Sequence, residues 1–306
     1  MYKTKHKIII GSRKSPLAKK QVDIFKSFFK KHYIEENDIE FHCRFMSTTG
    51  DNSIKKELSE FGNKGLFTKE IDEAQLKKEI DISVHSLKDL PFKIPKGLKI
   101  GAYLTREDHR DAIITRQKSS ILSLEKNSII GTSSIRREAQ MRKIRPDLTY
   151  KSIRGNVETR IRKIKEGLYD ATFLAMAGIK RLNIIEGFHP LKVSDFVPAV
   201  GQGIIAVIVR ENDLANIKIV NSVSDKNTEL MARCERSFLR KIEGSCQVPV
   251  GAFAQKKKIN GYEKVLFRYF FSNKDFTFSR KGEKIFNLSE CEKKSAQLGE
   301  KLKSLI

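Results

Sequence analysis

The stretch Ile82-Ser83-Val84-His85-Ser86-Leu87-Lys88-Asp89-Leu90-Pro91 decides the fold class. Ile82 to Val84 read as the end of a buried strand, and His85 to Asp89 put four polar or charged side chains into five positions just past it. Pro91 stops regular structure and fixes the exit. In α/β folds ligands bind beyond the carboxyl ends of strands, so Asp89 stands where a carboxylate faces a ligand rather than solvent. A polar turn in which Asp89 only caps a helix gives the same local pattern. The rest of the chain separates these two readings.

Upstream, Ile8 to Ile10 read as a buried strand and Gly11-Ser12-Arg13-Lys14 as the turn out of it. Ser15 is an N-cap and Pro16 takes the first helical position. Leu17, Gln21, Ile24, Phe25, Phe28 and Phe29 then form an apolar face of helical period. Arg13 and Ser15 therefore sit at a helix N-terminus, where an anion binds well. Ile39, Phe41, Cys43 and Phe45 alternate as a second strand, with Cys43 facing the core. Residues 48–62 are polar, contain Gly50 and Asp51, and read as a mobile loop. Gly65-Leu66-Phe67 lead into a helix that runs to about Lys78.

Downstream, the α/β pattern starts afresh at Arg106. Ile129-Ile130-Gly131 is a strand, and Thr132-Ser133-Ser134 lead into a helix beginning near Ile135. Arg136 and Arg137 in its first turn oppose the helix dipole at about 0.3–1 kcal/mol each, so a negative group is expected at that end. A further strand (Tyr150 to Ile153) turns at Arg154-Gly155-Asn156, with Asn156 as N-cap and Arg160 one turn on. Ala171 to Ala175 is a strand followed by Gly178-Ile179-Lys180-Arg181. Pro198-Ala199-Val200-Gly201-Gln202-Gly203 is a glycine-rich crossover into the apolar run Ile204 to Val209. It lacks the lysine of a phosphate loop and reads as a hinge. A helix over residues 227–242, an antiparallel sheet through Phe253, Val265, Phe267, Tyr269 and Phe271, and a closing helix over residues 289–305 make a small α+β third domain.

Composition narrows the function. The chain has 306 residues, room for two or three domains, and no apolar run near the roughly 20 residues of a membrane span. The basic start is followed only by Ile8-Ile9-Ile10, too short for a signal-peptide core, so a cytoplasmic, membrane-free protein is expected. Cys43, Cys234, Cys246 and Cys291 form no CxxC pair and have no histidine at metal-ligand spacing, which argues against disulfides and metal. Cys246 alone lies among turn residues, in Glu243-Gly244-Ser245-Cys246-Gln247-Val248-Pro249. The formal charge is +23, with 41 lysines dispersed and no interleaving of basic and aromatic residues, so no nucleic-acid partner is expected. The arginines cluster after strands instead. Planar guanidinium forks bind carboxylates or phosphates bidentately, so the ligand should be polyanionic. A lone acid among those cations, Asp89, should face something that becomes positive.

Eight motifs carry a resemblance to a known family. They are Gly11-Ser-Arg-Lys-Ser-Pro-Leu-Ala18, Asn63-Lys-Gly-Leu-Phe67, Val84-His-Ser-Leu-Lys-Asp-Leu-Pro91, Gly131-Thr-Ser-Ser-Ile-Arg-Arg137, Arg154-Gly-Asn-Val-Glu-Thr-Arg160, Leu174-Ala-Met-Ala-Gly-Ile-Lys-Arg-Leu182, Pro198-Ala-Val-Gly-Gln-Gly203 and Gly244-Ser-Cys-Gln-Val-Pro249. In this order they resemble the porphobilinogen deaminase (hydroxymethylbilane synthase) family. The resemblance implies an α/β fold of two periplasmic-binding-protein-like domains with a cleft between them, plus a small α+β C-terminal domain. The expected division is residues 1–104 with 204–222, residues 105–203, and residues 223–306. Asn63 and Ser245 stand where the family commonly has glycine.

The resemblance also implies a mechanism. Cys246 holds a dipyrromethane cofactor through a thioether. Porphobilinogen loses ammonia to give a cationic azafulvene, and the terminal pyrrole attacks it. Four additions precede hydrolytic release of the linear tetrapyrrole. Asp89 matches the catalytic carboxylate. Lys88, Thr132, Ser134, Arg136 and Arg137 match groups that hold the cofactor, and Ser86, Ser133 and Gln202 are added to them. Arg13, Ser15, Arg154 and Arg160 match groups that hold substrate or growing chain, joined by Lys64, Phe67 and Arg181. A monomer is expected. The competing reading, a non-catalytic protein binding anionic solutes on the same two-domain fold, leaves Asp89 and Cys246 without a role.

Overall fold

The computed structural model describes residues 6–32, 39–52, 65–116, 120–185, 187–242 and 248–305. β1 (His6–Arg13) opens the chain and runs three residues beyond the expected strand end. Its parallel pairing with β2 (Ile39–Met46) continues as far as Arg13↔Met46, so Gly11 to Arg13 belong to the ladder and not to a turn. Between them, α1 (Pro16–His32) starts as expected, with the Ala18 amide donating to Ser15 Oγ at 3.3 Å. Its Val22, Phe25 and Phe29 enter a core with Ile8, Ile10, Ile82 and Val84.

Cys43 departs from expectation. Alternation places it on the face of Phe41 and Phe45, yet it is exposed. β2 is the edge strand of its sheet and none of its eight residues is fully buried, so alternation alone did not secure cover. Of the expected loop over residues 48–62, α2 (Thr49–Asn52) is a short helix and residues 53–62 lie outside the described residues. α3 (Lys69–Leu76) ends two residues early.

β3 (Ile82–Ser86) extends past Val84, and Leu87–Asp89 form one 3-10 turn. β4 (Leu98–Tyr103) follows. The chain then leaves this sheet for a second one through β5 (Asp111–Thr115), β6 (Ile129–Gly131), α4 (Ile135–Ile144), β7 (Thr149–Lys151), α5 (Val157–Lys165), β8 (Ala171–Ala175), α6 (Met176–Arg181) and β9 (Phe188–Pro190). It returns to the first sheet with β10 (Ile205–Arg210), followed by α7 (Leu214–Asn221). α8 (Lys226–Ile242), β11 (Val250–Ile259), β12 (Tyr262–Ser272), β13 (Ser279–Asn287) and α9 (Cys291–Lys303) complete the chain.

The two five-stranded sheets share one plan. Their orders are β2-β1-β3-β10-β4 and β7-β6-β8-β5-β9. In each, four strands run in one direction and the strand in the fourth position runs against them. That strand is β10 in the first sheet and β5 in the second, each the first to arrive after the chain has been in the other sheet. The glycine-rich crossover before β10 needs its glycines, since Gly201 and Gly203 have φ of 72° and 92°.

Two compact units result: Met1–Glu107 with Ile204–Leu230, and Asp108–Gly203 with Met231–Ile306. The third sheet, β11-β12-β13, is antiparallel and lies within the second unit. Val265, Phe267 and Phe271 on β12 are buried, and the Phe267 ring meets Phe238 of α8 edge-on at 5.3 Å. Cys234 shares the buried face of α8 with Met231 and Phe238, and its Sγ lies 3.4 Å from the Cys291 carbonyl oxygen at the start of α9.

Candidate active site

In the first unit the candidate residues follow the carboxyl ends of two adjacent parallel strands, β1 and β3. The turn carrying Lys88 and Asp89 is fixed by its backbone: Leu87 N donates to Ile204 O at 3.0 Å and Leu90 N to Leu87 O at 3.2 Å. Lys88 is exposed and Asp89 half-buried. The Asp89 carboxylate makes no hydrogen bond or ion pair among the described residues. Ser86 Oγ accepts from Gln21 Nε2 at 2.7 Å. Arg13 pairs with Asp51 and lies over the Phe67 ring, 4.4 Å from its centroid. Ser15 is an α1 cap. Lys64 lies outside the described residues.

The strand beneath this turn is braced by a buried network that sequence patterns do not reveal. Gln75 Nε2 donates to Asp81 O at 3.0 Å and Ile208 O at 2.9 Å, so Oε1 is its acceptor. Ser83 Oγ donates to that oxygen at 2.8 Å. With its proton committed, Ser83 Oγ accepts at 3.0 Å from His85 Nε2, which is thereby assigned the proton. Burial, with the Arg13 charge adding to it, pushes His85 down to about 3, so the imidazole stays neutral at working pH. His85 thus belongs to the strand and supports the turn; it is not a solvent-facing polar residue.

In the second unit Thr132, Ser133 and Ser134 follow β6. Ser134 caps α4 by accepting from Arg137 N at 3.4 Å, and Ser134 N donates to Thr132 Oγ1 at 3.1 Å. Ser133 Oγ donates to Ile153 O at 2.8 Å, which ties the β6 exit to the β7 exit. Asn156 caps α5 through Thr159 N at 2.9 Å. Arg154 and Arg160 are half-buried, and Arg160 Nε donates to Gly155 O at 2.9 Å. Arg181, the last residue of α6, donates from Nη2 to Gly203 O at 2.7 Å. Gln202 is fully buried, with Nε2 donating to His109 O at 2.9 Å. The crossover beside it is held by the buried Glu235 carboxylate, which accepts from Gly201 N and Ala254 N at 2.8 Å each.

Arg136 and Arg137 differ most from expectation. Both are buried, and the negative group beside them is the protein's own Asp111, which opens β5 and is fully buried. Arg136 Nη1 donates to Asp111 Oδ2 at 2.8 Å, while Arg137 Nη2 and Nε donate to Oδ1 at 2.7 and 3.0 Å. Arg136 Nη1 also donates to Val197 O at 2.7 Å, and Arg137 Nη1 to Phe173 O at 2.9 Å. Burial alone would raise the Asp111 carboxyl; the charges and hydrogen bonds of Arg136 and Arg137 outweigh it and hold the group far below its ordinary 3.8. Two buried guanidiniums thus share one carboxylate among the described residues, which leaves one positive charge over. A buried charge without a partner costs several kcal/mol, so this end of α4 suits a second carboxylate from a bound group.

Comparison with known proteins gives the family. Residues 8–218 match the family described as porphobilinogen deaminase, dipyromethane cofactor binding domain, and residues 229–305 match porphobilinogen deaminase, C-terminal domain. The chain belongs to the porphobilinogen deaminase family. It is 45% identical over 262 residues to the porphobilinogen deaminase of Oceanobacillus iheyensis, covering 85% of this chain and 83% of that one. With that of Chloroherpeton thalassium it shares 42% over 252 residues, 82% of this chain and 79% of the other. Among solved structures it is similar to a probable amino-acid ABC transporter extracellular-binding protein of Bacillus subtilis, with TM-score 0.43 and 10% identity over 72% of this chain and 90% of that one. The fold itself rests on the sheet orders given above.

As a family member, the chain is a transferase of tetrapyrrole biosynthesis that joins porphobilinogen units on a dipyrromethane primer into hydroxymethylbilane. A non-catalytic solute binder is not favoured. The surplus positive charge beside Asp111 fits the carboxylates such a cofactor carries. No helix among the described residues is long and apolar enough to cross a membrane.

Proposed function

We propose that Asp89 is the catalytic carboxylate of this transferase and that Cys246 carries its cofactor through a thioether. The half-buried Asp89, without a protein partner among the described residues on a backbone-fixed turn, supports this most directly. When bound, the dipyrromethane supplies the free pyrrole carbon to which the first substrate is joined. Asp89 holds the positive charge that develops on the substrate as ammonia leaves, and a fixed carboxylate does this without reorganisation. Lys88, Ser86, Thr132, Ser133, Ser134, Arg136, Arg137 and Gln202 form the cofactor side. Arg13, Ser15, Lys64, Phe67, Arg154, Arg160 and Arg181 form the substrate side.

On this reading each of the three sheets centres one domain, divided as the sequence suggests at residues 104, 203 and 222. The protein works as a cytoplasmic monomer without nucleic-acid or membrane partners. Cys246 lies outside the described residues, and its role rests on its motif. Its thiol reacts best as thiolate.

Intact mass tests the proposal. Purified protein is expected to exceed its sequence mass by two pyrrole units, and Cys246→Ala is expected to show the bare chain mass. A modified chain in that variant moves the tether elsewhere, and an unmodified parent removes it.

A further inference from the structure

Arg13 is already in the grip of a carboxylate. Its Nε donates to Asp51 Oδ2 at 3.3 Å and its Nη2 to Asp51 Oδ1, a bidentate pairing. Asp51 is also held from its own side: Thr48 N and Oγ1 donate to Oδ2 at 3.1 and 2.8 Å. The guanidinium face is covered by Phe67. That ring lies against Gly50, where a Cβ would come within 2.4 Å of the ring carbon Cε1, so only glycine admits it. Gly50 N donates to Leu66 O at 2.8 Å, which ties the two segments together. Burial would raise the Asp51 carboxyl, but Arg13 and Thr48 outweigh it and lower it below 3.8, so the acid stays ionised.

This arrangement differs from the Asp111 pairing in one decisive respect. Asp111 has a side-chain exposure of 0%, whereas Arg13 and Asp51 retain 22% and 28%. Asp111 is enclosed and stays with its arginines, whereas Asp51 is open enough for an incoming carboxylate to take its place on the Arg13 fork. A tethered group competes at a high effective concentration, and apparent affinity for the outside ligand falls by the fraction of time the site is taken.

We propose that Asp51 is an internal stand-in for a substrate carboxylate. It occupies the Arg13 fork until an acetate or propionate group of porphobilinogen exchanges with it, and so weakens binding at that subsite. The inference rests on the reading of Arg13 as a substrate-binding residue. Exchange also frees Asp51 from Arg13 and so makes residues 48–52 respond to substrate. Asp51 acts here as a specificity-setting residue that tunes Arg13.

The test uses the cofactor-loaded enzyme with porphobilinogen. Asp51→Asn keeps a carbonyl for Thr48 and removes the competing charge. It is expected to lower KM about three- to tenfold without raising kcat. Asp51→Glu, which restores the charge, is expected to return KM towards the parent value. Arg13→Gln is expected to raise KM. If Asp51→Asn leaves KM unchanged or raises it while Arg13→Gln raises it, the stand-in is overturned and the Arg13 assignment survives. If Arg13→Gln keeps the parent KM, the Arg13 assignment itself fails. Should Asp51→Asn not fold, Asp51→Ser, which also offers Thr48 an acceptor, is read by the same criteria.

Discussion

Asp89→Asn is expected to fold, to keep its covalent cofactor, and to lose about 10²- to 10⁴-fold in kcat. The fold should tolerate the change because the turn is held by main-chain bonds, Leu87 N to Ile204 O and Leu90 N to Leu87 O, in which the Asp89 side chain has no part. The amide has nearly the shape of the acid but no charge. It can still accept a hydrogen bond from a pyrrole N–H, so binding should suffer less than turnover. What it cannot do is balance a positive charge developing as ammonia departs. A thermal melt, an intact mass and single-turnover kinetics on one preparation separate these outcomes. Turnover within a few fold of the parent removes Asp89 from the chemistry.

Asp111→Asn should strike stability instead. It leaves the buried Arg136 and Arg137 with main-chain acceptors but no counter-charge. Breaking a buried pair by removing one partner typically costs about 3–5 kcal/mol. Urea unfolding of parent and variant measures the difference. The pH dependence follows from the lowered carboxyl of Asp111. A group whose folded value is depressed stabilises fully above its unfolded value, near 3.8, and loses that contribution as pH falls through the folded value. The gap between parent and variant is therefore expected to stay constant from neutral pH down to about pH 5 and to shrink only in strong acid. A gap below about 1 kcal/mol at neutral pH means that desolvation of the three charges cancels their attraction.

Features coded within a few residues were legible in the sequence. The Ser15 and Asn156 caps lie beside the helices they start, and each accepts the amide hydrogen bond its position implies. The strand–loop–helix rhythm likewise placed the arginines after strands. Partners far along the chain were not legible. Asp51 lies 38 residues from Arg13, and Asp111 lies 25 from Arg136, so no local spacing connects them. The sequence called for a negative group beside Arg136 and Arg137 but could not show that the protein supplies one itself, because Asp111 lies on a distant strand. The end of β3 was misjudged for a related reason. Its last residues are kept in strand by pairing Ser86↔Ile205 and His85↔Ala206, from a strand almost 120 residues later. Polar His85 and Ser83 then fit a buried strand because Gln75, from α3, accepts from Ser83, which in turn accepts from His85. Cys43 shows the opposite error: alternation gave its face correctly, but an edge strand need not be covered on that face.

The position of β10 between β3 and β4 has a consequence for how the protein is made. When Glu107 leaves the ribosome, every other strand of the first sheet has been synthesised, but the one that joins β4 to the rest has not. Translation at about 5–20 residues per second puts the arrival of Arg210 roughly 5–20 s later. Through that interval the nascent chain carries two open ladder edges, at β3 and β4, of the kind that recruit other chains. The amino-terminal third is thus open to association with other chains during translation, and a fragment released at Glu107 lacks the means to close its own sheet.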